Sequence, residues 1–210
     1  MSVAKIVKII FFSLFVIQTV SAYSAQIVSA KDFFKKMTKV QTLSCDFSQE
    51  QFIAGLKNPI RMTGCFYMTN AGNIAWIVRH PIRFYCIIYN QKLTSWDAES
   101  TNKKVIDLQD NPAFLTMIGM MKNFFAGKIE LKKDYNAVVL SRHKIVLHPL
   151  KHNPLSDNVS RIQIVLSSEQ HSISVIEILF SNGDRNVMRF ENIMIDKPIP
   201  HHIWANGESK

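Results

Sequence analysis

Histidines, cysteines and carboxylates are the side chains of this chain able to do chemistry, and their spacing offers little. His143, His148, His152, His201 and His202 fall on different strands and loops, without the regular separations that bring ligands together on a metal. Cys45, Cys65 and Cys86 form neither a CxxC pair nor a Cys/His ligand set. There is no GxSxG elbow, no HExxH, no glycine-rich phosphate loop and no paired carboxylates in a recognisable setting, and the whole chain has only 7 glycines. Arg79-His80 ahead of Pro81 reads as a solvated strand end. The reading is therefore a protein with no metal, no cofactor and no catalytic residue, unless the fold assembles a site from distant residues.

Apolar residues, by contrast, recur at meaningful intervals. Ile74, Trp76 and Val78 alternate along one face of a strand, and Phe84, Cys86 and Ile88 do the same along the next. Tyr85, Ile87 and Tyr89 make the opposite face greasy as well. A sheet apolar on both faces must be covered on both, by protein or by a ligand.

The elements that position these residues are short strands. Residues 64–68, 74–78, 84–89 and 93–96 read as an antiparallel meander, broken at Asn70-Ala71-Gly72-Asn73, His80-Pro81 and Asn90-Gln91. Ahead of it, residues 42–52 alternate Leu43, Cys45 and Phe47 against Ser44, Asp46 and Ser48, the pattern of a half-buried strand. Ser29 caps a predicted helix to about Val40, with Phe33, Phe34, Met37 and Val40 on one stripe. A second helix is signalled by Asn111 as cap, Pro112 in the first turn and Gly127 as terminator. Its stripe of Phe114, Leu115, Ile118, Met121 and Phe125 is wide and rich in Met and Phe, which suits either core packing or irregular apolar partners. A short strand is possible at Val105-Ile106. Further strands are expected at 129–132, 137–140, 144–147, 160–166, 173–180 and 186–192, with 149–158 an irregular insertion and Asn182-Gly183 a two-residue hairpin turn. Trp204 is the last apolar anchor.

Ten or so strands in one sheet must curl or close. The fold class expected is α+β: a large curved antiparallel sheet, with helices lying in its concavity to make a lined apolar cleft rather than a filled barrel.

Residues 1–22 read as a cleaved secretory signal: Lys5 and Lys8, an apolar run over 9–17, then Val20-Ser21-Ala22. Nine residues at 1.5 Å each cannot cross ~30 Å of hydrocarbon, which argues against a membrane anchor. Residues 23–210 make a single exported domain. Loss of Lys5 and Lys8 takes the formal charge from +9 to +7. In an exported protein that surplus points to anionic membrane surfaces or an acidic partner rather than to nucleic acid, although lysine-rich composition alone gives the same number. Three cysteines allow at most one intramolecular disulfide, and their apolar neighbours suit buried small residues equally well.

In order and spacing these features resemble the LolA family of periplasmic lipoprotein carriers along nearly the whole mature length. The matching residues are the opening helix followed by Leu43-x-Cys45-x-Phe47-x-Gln49, Gly64 with Trp76 twelve residues on, Pro81, the strand from Leu93 to Trp96, the helix region from Asn111-Pro112 to Gly127, Leu147-His148-Pro149, and the closing hairpin from Ile173 to Asn192. The resemblance implies an incomplete β-barrel with a lid of helices, located in the periplasm, whose cavity shelters the acyl chains of lipoproteins between an inner-membrane releasing transporter and an outer-membrane receptor. It also implies transient contact with the membrane surface and a monomeric protein. Lipid-contacting residues would be Phe47, Phe66, Ile74, Trp76, Val78, Phe84, Ile88 and Trp96 on the sheet, with Phe114, Leu115, Ile118 and Met121 in the lid. One departure stands out: Asn70-Ala71 occupies the place of the arginine-proline pair linked to lid closure in the best-known carriers. The alternatives are a carrier of another lipid or glycolipid, or a lipid- or lipoprotein-binding envelope stress sensor of the same fold.

Overall fold

A computed structural model of the chain describes residues 30–33, 40–97, 103–107, 119, 123, 131–169 and 172–206. Eleven strands form one antiparallel sheet: β1 (Thr42–Phe52), β2 (Ile60–Thr69), β3 (Ile74–His80), β4 (Phe84–Tyr89), β5 (Lys92–Asp97), β6 (Lys104–Asp107), β7 (Tyr135–Ser141), β8 (Lys144–Pro149), β9 (Val159–Leu166), β10 (Ile173–Phe180) and β11 (Arg185–Ile195). Their spatial order is β6-β5-β4-β3-β2-β1-β11-β10-β9-β8-β7, so two meanders meet where the first strand pairs with the last, and the sheet is not closed. Helices among the described residues are short: α1 (Ala30–Phe33), α2 (Leu131–Asp134) and α3 (His202–Asn206). None is long and apolar enough to cross a membrane.

The strand expected at 129–132 is corrected at 131 and 132, while 129 and 130 lie outside the described residues. Leu131–Asp134 is one helical turn leading into β7. Ile129 and Leu131 alternate, but four residues fit a turn of helix as well as a strand. The fold settles the choice, because the insertion at 150–158 holds this turn. Leu150 N and Asn153 Nδ2 both donate to the Asp134 carbonyl, at 3.0 and 3.1 Å. Asn153 is 4 % exposed, and its Oδ1 accepts from Leu155 N at 2.9 Å, which satisfies a buried amide.

The hairpin at Asn182-Gly183 is present but longer than two residues. Phe180 N bonds to the Asp184 carbonyl at 2.8 Å, Gly183 takes φ 90°, and Asp184 N donates to Asn182 Oδ1. Asp184 also accepts from Ala54 N, tying this loop to the β1–β2 connection. The expected lid helix lies outside the described residues except Gly119 and Asn123, both helical.

Side-chain alternation divides the sheet into two faces. The inner face carries the larger core, which unites both meanders: Leu43, Phe47, Phe66, Ile74 and Ile88 with Ile145, Ile164, Ile176 and Phe190. The outer face of β3 and β4 is covered by the C-terminal segment. Ile203, 3 % exposed, packs with Ala75, Ile77 and Ile87, and Trp204 stacks on Tyr89 with centroids 5.9 Å apart. The start of that segment is pinned to β1. Gln41 N donates to Asp196 Oδ1 at 2.7 Å and Thr42 Oγ1 to the Lys197 carbonyl at 2.7 Å. The two greasy faces read from the sequence are thus both covered by the chain's own residues.

Candidate functional site

Pairing register fixes which side chains share the inner face. Phe47 on β1 lies opposite Gly64 on β2 and Phe190 on β11, Gly64 opposite Val78, and Val78 opposite Phe84. The next row runs Cys45, Phe66, Trp76, Cys86, and the one beyond Leu43, Met68, Ile74, Ile88, Leu93. Every inward position of these three rows from β1 to β4 is apolar or glycine. Phe47 and Trp76 meet across β2 with ring centroids 4.2 Å apart, and Phe66 meets Trp76 edge-on at 5.5 Å. Gly64 is the inward residue of β2 in the first of these rows. A Cβ there would lie 1.9 Å from the Ile77 carbonyl oxygen, so only glycine fits so close to β3.

Seven of the expected sheet residues are therefore brought together: Phe47, Phe66, Ile74, Trp76, Val78, Phe84 and Ile88. Most are covered, Phe66 wholly, while Phe84 is 41 % exposed at the end of its row. Trp96 is not among them. It lies opposite Tyr85 on the outer face, stacked on that ring at 4.8 Å with Lys103 Nζ 4.3 Å from its own centroid. The reason is parity: Leu93 points inward, and a residue three positions along a strand points the other way. Phe114, Leu115, Ile118 and Met121 lie outside the described residues.

No thiolate chemistry is available on this face. Burial pushes the Cys45 thiol up to about 12 and that of Cys86 up to about 11, so both stay protonated at neutral pH. None of the three cysteines is in a disulfide. Cys45 and Cys65 occupy adjacent strands but opposite faces. Cys45 and Cys86 share a row but are separated by two intervening strands, at about 4.8 Å per strand spacing, which is beyond disulfide reach. Among the described residues no three His, Cys, Asp or Glu side chains gather to hold a metal. His143, His148 and His152 instead face the carbonyls of Ser167, Ser160 and Lys133.

The outer face holds a polar pocket of about 290 Å³ that sequence reasoning missed, lined by Asp46, Phe47, Ser48, Thr63, Gly64, Arg79, His80 and Glu191. In the sequence, Asp46, Ser48 and Glu50 are legible only as the wet side of β1. Asn192 Nδ2 donates to Asp46 at 2.7 Å and the Cys65 thiol at 3.0 Å, with Arg79 3.9 Å away; together they hold the Asp46 carboxyl below its ordinary range. A depressed folded-state pKa adds stability above the ordinary carboxylate value of 3.8, and that stability is lost as pH falls through the folded value. Asp46→Asn is expected to flatten the acid limb of the melting-temperature profile; wild-type and variant curves running parallel through the carboxylate range would contradict this role.

The chain is matched over residues 38–203 by the model of the family described as outer membrane lipoprotein carrier protein LolA. No curated protein sequence matches it. Similar solved structures include a DUF1329 family protein from Desulfovibrio piger, at 10% identity and TM-score 0.43, with 85% of this chain and 96% of that one covered. A LolA superfamily protein from Nitrosomonas europaea is similar at 8% identity and TM-score 0.44, covering 86% and 96%. The MucA/MucB complex of Pseudomonas aeruginosa contains a chain similar at 11% identity and TM-score 0.49, covering 83% of this chain and 59% of that one. With four-fifths of its length inside the family match and an open antiparallel sheet to go with it, the chain belongs to the LolA family of outer membrane lipoprotein carrier proteins.

Proposed function

We propose that this protein is a periplasmic carrier. In this reading it is exported by removal of residues 1–22, takes up the acyl chains of lipoproteins on the inner face of its sheet, and passes them from an inner-membrane transporter to an outer-membrane receptor. One observation carries the proposal: the uninterrupted apolar surface from Leu43 to Ile88, with no charged side chain on the inward positions of β1 to β4 between them. Moving an acyl chain from water to such a surface gains ~0.8 kcal/mol per methylene, or roughly 12 kcal/mol for a chain of about fifteen. Binding that tight would make release too slow for a carrier. Most inner-face residues are already buried, so a ligand must displace existing contacts, and the net affinity falls by what those contacts contributed.

The cargo is the finer question. At the place of the family's arginine-proline pair, Asn70 ties the β2–β3 turn to β1 instead: its N donates to the Gln41 carbonyl at 2.8 Å and its side-chain amide to Gln41 Oε1. No cation is supplied there to latch a lid, which favours a different closing contact and leaves room for another lipid or glycolipid as cargo. Native mass spectrometry of protein purified from envelope extracts separates the readings. Co-purifying acylated lipoprotein is expected; free phospholipid or glycolipid would move the assignment to the second reading, and protein consistently free of any lipid would overturn both.

A further inference from the structure

At the end of the sheet where β1 runs into β2 and β3 into β4, large apolar side chains stand in solvent: Leu56 is 54% exposed, Ile60 40%, Ile82 64% and Phe84 41%. They lie at one end of the sheet, on or beside the β1–β2 and β3–β4 connections. Ile60 opens β2 opposite Gln51, the pairing of Thr63 with His80 brings the turn at 81–83 alongside the first residues of β2, and Phe84 begins β4 opposite Val78. Exposed cations are interleaved with them: Lys57 beside Leu56, Arg61 beside Ile60, and Arg83 between Ile82 and Phe84. The carboxylates nearby are Asp97, opposite Phe84, Glu50, which faces both Arg61 and Arg189, and Asp184, which accepts from Ala54 N in the β1–β2 connection.

Scattered exposed apolar residues need no explanation, but several gathered on turns at one end of a sheet mark an interaction surface. Apolar tips ringed by Lys and Arg match the boundary between anionic headgroups and acyl chains, where the tips are buried and the cations meet phosphate. A second copy of the chain fits poorly, because the same cations would face one another.

We propose that this rim docks the protein on bilayers containing anionic phospholipid. Phe84 is both a rim residue and the end of an inner-face row, so docking sets the open end of the apolar face against the lipid. The proposal is independent of the cargo reading.

The test is flotation of the purified protein with vesicles of phosphatidylethanolamine and phosphatidylglycerol, against vesicles of phosphatidylcholine alone. Binding is expected only to the anionic vesicles and weakens as salt rises. The double variants Leu56→Ser/Ile82→Ser and Lys57→Glu/Arg83→Glu each lower the partition roughly ten-fold or more, while both keep the parent melting temperature and its uptake of a fluorescent fatty acid. Undiminished flotation of both variants, equal flotation with phosphatidylcholine, or no flotation of the parent overturns the proposal. Loss of fatty-acid uptake by folded variants overturns it too, since the rim would then belong to the cargo site.

Discussion

Gly64→Ala is expected to destabilise the protein by about 3 kcal/mol or more, read as a lower urea midpoint with an unchanged slope. The added methyl would sit 1.9 Å from the Ile77 carbonyl oxygen and 2.9 Å from Val78 Cα. Both obstacles are backbone atoms of β3, so no side-chain rotation relieves the overlap; β2 and β3 must separate locally, at cost to their ladder and to the contact of Phe47 with Trp76. The glycine is required for space, since its φ is not in the left-handed region that favours glycine. Contrast Gly55, which has φ 89° and nothing within 4 Å of where a methyl would stand, so that the cost of alanine there is conformational alone. An alanine variant at position 64 that melts like the parent would mean that β2 tolerates a side chain there and that the close approach is dispensable.

The second large effect concerns binding. Trp76→Asp is expected to weaken uptake of a fluorescent fatty acid about a hundred-fold, equivalent to about 2.7 kcal/mol. The indole lies at the centre of the inner face, touching Phe47 and Phe66, and a carboxylate there must be desolvated or must draw water into the row. Trp76→Phe keeps an aromatic surface and should retain both fold and uptake, which separates loss of binding from loss of folding. Uptake by the aspartate variant equal to that of the parent would remove the inner face as the ligand site.

Much of this architecture is legible in the sequence. Thr42–Phe52, Phe84–Tyr89 and Ile173–Phe180 run where alternation and turn residues put them, because a period of two is set by local geometry and bounded by Pro, Asn and Gly. What is not legible depends on register and on distant partners. Trp96 groups with the inner face by its apolar character, whereas its pairing with Tyr85 puts it outside. The helical turn at Leu131–Asp134 is held by Leu150 and Asn153, nineteen residues on at the latter, and no window around 131 contains them. Asp46 reads in sequence as one more wet residue of β1; only the fold brings it within 2.7 Å of Asn192, 146 positions away. Likewise the need to cover the outer face is readable from Tyr85, Ile87 and Tyr89, but not that Ile203 and Trp204 supply the cover.

The meeting of β1 with β11 has a consequence for how the protein comes apart. The first and last strands of the sheet are neighbours at the middle of the fabric, and in the backbone ladder each half is otherwise paired only within its own meander. Slow, long-distance closure of that seam is thus the step that makes one molecule out of two ribbons. A protease that clips residues 185–195 would not fray a border; it would open the sheet at its centre.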